Sequence, residues 1–283
     1  MTAEFKTIKY CATDDAVARI TLARPEKRNA QTFEMLSELN TAFDLAAHDK
    51  AVKVIILDAE GRDFSSGHAG PGDLDFKSYQ PVGTWADFGA PGAEGQWGFE
   101  QEFFKGFCMR WRDIPKPTIA AVKGWVIAGG LMLCWPCDII IAAEDTLFTD
   151  PVVAFGVNGV EYFGHPWEMG VRKAKEMLFT GEVMTAEEAK QLGMVNHVVA
   201  NAELDAFTLD MAQRIAKRPM IGLKLAKQSV NQAQDAMGFR NAQEAAFALQ
   251  QLGHTHARVV HDGIPVDPEG QKLVQETLQK WKK

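Results

Sequence analysis

Apolar and polar positions along this chain follow two periods, and the switches between them mark the elements. Val17–Leu22 (VARITL) and residues 52–58 (VKVIILD) are short apolar, β-branched runs that predict strands. Between them, residues 32–47 place Phe33, Leu36, Leu39, Phe43 and Ala47 at three-and-four spacing, which predicts an amphipathic helix. Thr118–Val122 (TIAAV) and residues 138–142 (DIIIA) predict two more buried strands. Ala186–Leu192 reads as a short helix, with Thr185 as N-cap and Glu188 three residues on. Gly193 then stands where a C-cap glycine belongs, and residues 195–199 form a strand.

The pattern changes after Ala202. Residues 203–251 are almost all helix-forming, broken at Pro219 and Gly238. Residues 253–268 read as a turn-rich break, and residues 271–283 as a final helix with Leu273, Val274, Leu278 and Trp281 on one side. Alternating strands and helices argue for an α/β core over residues 1–202, followed by a helical region over residues 203–283. Residues 68–98 are rich in Gly and Pro, with Trp85, Phe88 and Trp97 interspersed. Two readings of that stretch stand: a surface insertion without a role, or a functional loop.

Composition narrows the class. The 283 residues are 46% hydrophobic and 24% charged, which suits a folded globular chain and excludes general disorder. A net charge of −7 gives no overall attraction to nucleic acid or to an anionic membrane, so neither is expected as a partner. An anionic ligand would have to rely on local Lys, Arg and helix N-termini. Residues 1–10 lack an apolar signal-peptide core, and the longest uncharged apolar stretch, between Lys123 and Asp138, is interrupted by Gly129, Gly130 and Pro136. Four cysteines in a chain this long make no disulfide framework, so a reducing, cytoplasmic location is expected.

Two segments carry candidate chemistry. One is Phe64-Ser65-Ser66-Gly67-His68; the other runs from Lys116-Pro117-Thr118 through Ala128-Gly129-Gly130 to Cys137-Asp138. Together they resemble the two signature segments of the crotonase superfamily, the enoyl-coenzyme A hydratase/isomerase family. Weaker similarity extends over most of the chain, including Arg24-Pro25-Glu26-Lys27-Arg28-Asn29-Ala30 and Leu192-Gly193-Met194-Val195-Asn196. The resemblance implies a crotonase-like spiral of ββα turns with a C-terminal helical trimerisation region, assembled as a homotrimer or as a hexamer of two trimers. It implies an acyl-coenzyme A thioester as substrate, coenzyme A being part of that substrate, with no permanently bound cofactor or metal. It assigns the two oxyanion donors to the backbone N–H groups of His68, following Gly67, and of Gly129. Two preorganised donors at a thioester oxygen lower the barrier to forming an enolate. Lys27 or Arg28 and C-terminal lysines are the expected coenzyme A phosphate contacts.

The chain departs from the family where a typical hydratase carries two glutamates. The first position, three residues past the oxyanion glycine, is Met132; the second, after Pro151, is Val152. Neither carries a proton at its side chain. Met132 and Val152 become acyl-contact candidates instead, and their apolar character points to a bulky or ring-containing acyl group. The replacement acid or base is sought at Glu161, near which relatives that isomerise dienes or dehalogenate aromatic thioesters carry an acid, and at Asp150. His68 and His165 are secondary candidates, His165 as a partner for Glu161. Three functions stay open: a lyase, hydratase or isomerase working through a stabilised enolate; a hydrolase of a carbon–carbon bond in a cyclic β-diketone; and a non-catalytic acyl-coenzyme A binder. Cys134-x-x-Cys137 lies in an apolar segment and is read as core packing, and His254, His256 and His261 as surface histidines of a loop. Ser65-Ser66 lacks the flanking glycines of a nucleophile elbow.

Overall fold

A computed structural model describes residues 4–70 and 87–281. Trp85 and most of the glycine-rich stretch therefore lie outside the described residues. The five predicted strands join one the sequence reading did not include, β1 (Ile8–Ala12), in a sheet of order β1, β2 (Val17–Leu22), β3 (Val54–Ala59), β4 (Thr118–Val122), β6 (Ile139–Ala143), β9 (His197–Val199). β1 and β2 pair antiparallel, and every later pair is parallel. A parallel sheet is covered on both faces, which is why β3 and β4 are apolar without alternation. One face packs on α1 (Phe33–His48), through Phe33, Leu36, Leu39 and Phe43. The other packs on α7 (Leu204–Ala216), through Leu204, Ala212 and Ala216.

A second sheet, absent from the sequence reading, joins β5 (Trp125–Ile127), β7 (Leu147–Thr149) and β8 (Met184–Thr185). These strands have two or three residues, too few to show a period. They explain the repeat. β4, β5 and α4 (Gly129–Cys134) make one ββα turn; β6, β7 and α5 (His165–Thr180) make the next, each giving one strand to either sheet. Ser65, bridged to Val126, occupies the corresponding place after β3.

Local signals hold where they rest on backbone chemistry. Thr32 caps α1 by accepting from Met35 N–H at 3.1 Å. Thr185 and Glu188 form the capping box of α6 (Ala186–Leu192), and Gly193 ends it in the left-handed region. Two expectations fail in their boundaries. The glycine-rich stretch gives way at residue 93 to α2 (Ala93–Phe99), a π-helical turn (Glu100–Gly106) and α3 (Phe107–Asp113). The predicted break at 253–268 begins late. α8 (Met220–Ala236) and α9 (Phe239–Val260) start at the expected breakers, but α9 runs seven residues past Gly253. A glycine inside a helix costs only about 1 kcal/mol, which burial of one face outweighs. α10 (Gly270–Gln279) closes the chain.

Candidate active site

The site is built where two loops meet. Gly67 has φ +91°, and a Cβ there would stand 2.9 Å from the Ile127 carbonyl and 3.3 Å from the Gly129 nitrogen. Only glycine lets the two signature segments come this close. A parallel bridge between Gln31 and His68 fixes the first loop: Gln31 N–H donates to the Gly67 carbonyl at 2.9 Å, and Ala69 N–H donates to the Gln31 carbonyl at 2.8 Å. That bridge does not use the N–H of His68. Ser65, fully buried, donates its hydroxyl to the Asn29 carbonyl at 2.8 Å and accepts from Gly67 N–H at 3.3 Å, so it is a brace for the loop.

The second loop turns at Ala128, whose φ of +47° is strained for a residue with a side chain. Its N–H donates to the Thr149 carbonyl at 2.9 Å, tying the turn to β7. Gly129 then opens α4, at the end where backbone N–H groups have no partner within the helix. A Cβ on Gly129 would lie 2.8 Å from Cε1 and 2.9 Å from Nδ1 of His68, and one on Gly130 would lie 2.7 Å from the Ser65 carbonyl. The loops are therefore in contact at the two assigned donor residues.

Glu161 reaches this place from the loop before α5. Its Oε2 lies 3.2 Å from His68 Nε2, and its Oε1 accepts from Gln250 Nε2 at 2.8 Å. Gln243 pins the loop by accepting from Phe163 N–H at 2.8 Å and donating to the Phe163 carbonyl at 3.1 Å. The His68 ring lies flat on Phe104, with centroids 4.0 Å apart and planes at 16°. Phe104 belongs to the π-helical turn, where Gly106 avoids a 2.5 Å clash with the Gln101 carbonyl. Burial works to raise the Glu161 carboxyl, but the charge and hydrogen bond of His68 outweigh it and hold the group below its ordinary value. His68 Nδ1 and Gln31 Oε1 are buried with no hydrogen-bond partner among the described residues, and both lie within 3.1 Å of the point a Cβ on Gly129 would occupy.

His165 does not pair with Glu161. It is fully buried, with Nε2 2.7 Å from Asp150 Oδ2. Asp150, also fully buried, accepts from Val160 N–H at 3.0 Å and Val152 N–H at 3.3 Å. Its oxygens are spent on shaping the loop that presents Glu161. Met132 is 1% exposed and sits in the main core, and Val152 is half-buried against the same core. Arg28 turns its guanidinium to Asp63, Nε to Oδ2 at 2.7 Å, while Asp63 also accepts from Trp125 N–H at 3.0 Å. Arg28 thereby clamps the first loop to β5. Cys134 and Cys137 lie in or against the core, and burial pushes the Cys137 thiol up to about 12. His254 is no loop residue: it is buried on α9 with Nδ1 2.7 Å from the Pro265 carbonyl.

Sequence reasoning missed Gln31, Phe104, Gln243 and Gln250. Their only signal was polarity or size, on the face of a helix for Phe104, Gln243 and Gln250 and in the bridge before α1 for Gln31, and it becomes informative once the neighbours are known. No helix among the described residues is long and apolar enough to cross a membrane.

Two glycine-bearing loops meet at the start of α4, beside the buried Glu161 carboxylate and the half-buried His68 imidazole, on a spiral α/β fold. The chain belongs to the enoyl-CoA hydratase/isomerase family, whose profile matches residues 12–281. It is 47% identical over 265 residues to a putative enoyl-CoA hydratase, EchA13, of Mycobacterium tuberculosis, covering 89% of this chain and 82% of that one. A probable enoyl-CoA hydratase from Mycobacterium smegmatis superposes with a TM-score of 0.83 at 48% identity, covering 92% of this chain and 99% of that one. The 1,2-epoxyphenylacetyl-CoA isomerase of Escherichia coli is 29% identical over 226 residues, 78% of this chain and 80% of that one.

Proposed function

We propose that this protein binds an acyl-coenzyme A thioester with its carbonyl oxygen between the N–H groups of His68 and Gly129, and that Glu161 moves a proton at the carbon next to that carbonyl. One observation carries the reading: the loops bearing both donors touch, and the Glu161 carboxylate stands 3.2 Å from the ring of the same His68. Removing the α-proton leaves an enolate whose negative charge develops on the carbonyl oxygen. Donors aimed there stabilise that charge more than they stabilise the ground state. Glu161 accepts the proton and returns it at a second carbon, or passes it to a leaving group, which makes the reaction an isomerisation or elimination in type. His68 Nε2–H keeps the carboxylate ionised and oriented.

The helical region supports assembly. α8 has no buried residue, and Ile221, Leu225, Val230 and Met237 stand exposed on or beside it. A homotrimer, or a hexamer of two trimers, would cover them.

The test is calorimetric binding of a panel of acyl-coenzyme A thioesters, with free coenzyme A and the free acids as controls, followed by turnover of the tightest ligand by wild type and Glu161→Gln. Binding with loss of turnover in the variant is expected. Failure of every thioester to bind overturns the reading in favour of a cyclic β-diketone substrate; binding without turnover by wild type would leave a non-catalytic binder.

A further inference from the structure

A second buried acid is held by the same helix as the first. Glu100, at the start of the π-helical turn, is 3% exposed. Its carboxylate accepts from Gln96 Nε2 at 2.7 Å and from Gln251 Nε2, and its Oε1 lies 3.5 Å from His254 Nε2. Gln251 follows directly on Gln250, which holds Glu161. Two buried carboxylates are thus gripped by consecutive residues of α9.

The proton content of this cluster follows from hydrogen-bond chemistry. His254 Nδ1 is 2.7 Å from the Pro265 carbonyl oxygen, which can only accept, so Nδ1 carries a hydrogen. Nε2 then faces Glu100. A bare nitrogen lone pair against an ionised carboxylate, both removed from water, is repulsive. His254 Nε2 makes no hydrogen bond among the described residues at this 3.5 Å separation, so the repulsion is relieved by one proton held on Nε2 or on the carboxyl, and either placement gives the pair a net charge of zero.

We propose that Glu100 and His254 form a one-proton pair that sets the charge beside Glu161, making Glu100 a positioning residue for the acid–base group of the site. Its catalytic meaning rests on the function proposed for Glu161; the existence of the pair does not. Among the described residues, the charged or titratable groups facing Glu100 are Glu161 from the loop before α5 and His254 and Arg258 from α9. α2 brings the neutral Gln96, and α1 meets the turn with the Phe33 ring on Phe103 and Phe104. Burial raises the Glu100 carboxyl, His254 opposes this, and the Glu161 charge adds to the rise. While the pair keeps its proton, Glu161 has a neutral neighbour. Alkaline loss of that proton leaves a second carboxylate, which disfavours ionised Glu161 and favours protonated His68.

Ring ¹⁵N NMR of the full chain across pH tests this, with His68 and His254 assigned through His68→Asn and His254→Asn. The expected wild-type result is a His254 Nδ1 that stays protonated, and a second, alkaline step in the His68 signals that coincides with the change at His254. Glu100→Gln should abolish that step and spare His68's own titration, while Glu100→Asp should retain it. A single-step His68 curve in wild type, or a second step that survives Glu100→Gln, overturns the proposal. Should Glu100→Gln fail to fold, His254→Gln gives the same reading: with no imidazole to share the proton, the alkaline step must move, and an unmoved step overturns the pairing. If Glu161→Gln retains turnover while the NMR steps behave as expected, the proposed function falls and the pair stands.

Discussion

Glu161 and His68, 93 residues apart in the chain, meet with Oε2 3.2 Å from Nε2. The contact joins the first of the two glycine-bearing loops to a carboxylate from the loop before α5. Gln250 and Gln243 hold the acid's side from α9, and Phe104 holds the imidazole's side from the π-helical turn. Each partner is therefore held in place by a neighbouring side chain from another element.

Glu161→Gln keeps the shape and the hydrogen-bonding length of the side chain but cannot take up a proton. Turnover of the thioester identified by calorimetry should fall by roughly 10²–10⁴-fold. Its dissociation constant should stay within about threefold, because the oxyanion donors are untouched. Steady-state kinetics beside calorimetry separates the two; a variant with near wild-type kcat would remove Glu161 from the chemistry.

Gly129→Ala should strike both donors. The new Cβ would meet Cε1 of His68 at 2.8 Å, and the ring, stacked on Phe104, has little room to retreat. A loss of roughly 10²–10³-fold in kcat/KM is expected, the size seen when one oxyanion donor is misplaced. Circular dichroism should show an intact fold.

Asp150→Asn should fail differently. The substitution leaves His165 without its charge partner and weakens the acceptor for Val160 N–H, all in a fully buried place. Breaking such a pair costs about 3 kcal/mol. The melting temperature should drop by several degrees, with activity per folded molecule falling far less than in Glu161→Gln. Equal losses in both variants would contradict the division of labour between the two acids.

Glu168, on α5, has its carboxyl pushed up to about 8 by burial. Its folded value lies above the unfolded one, near ~4.3, so folding favours the protonated form. The stability it contributes is complete below pH ~4.3 and is lost as pH rises towards 8. Glu168→Gln should therefore melt higher than wild type at pH 8, by at least ~2 °C, and at the same temperature at pH 4. Differential scanning calorimetry at the two pH values checks the sign.

Assembly through α8 should appear in sedimentation as a trimer or hexamer. Leu225→Glu, at an exposed apolar position, should shift the distribution towards monomer while preserving secondary structure. A wild-type chain that sediments as a monomer at micromolar concentration would end that proposal.

Several elements were legible before any coordinates. Val17–Leu22, Thr118–Val122 and Ala186–Leu192 appear with the predicted bounds, and Thr185 and Gly193 cap as expected. These signals are local: apolar period, β-branching and cap chemistry act on neighbours in sequence. The two signature segments were legible as well, because close backbone approach demands glycine and leaves it visible in the chain. Short strands such as β5 and β8, and the helix that continues past Gly253, were not, since long-range pairing and burial decided them.

The pairing of acids with imidazoles belonged to tertiary structure alone. Spacing along the chain put His165 four residues from Glu161, yet the fold gives His165 to Asp150 and brings His68 to Glu161. It also turned His254 from a surface residue into the buried partner of Glu100. Composition and periodicity report which residues avoid water; which buried charges face one another depends on how helices and loops distant in sequence pack. The local pattern of the chain specified an α/β family fold with two glycine-bearing signature loops, and packing decided which carboxylate stands beside them.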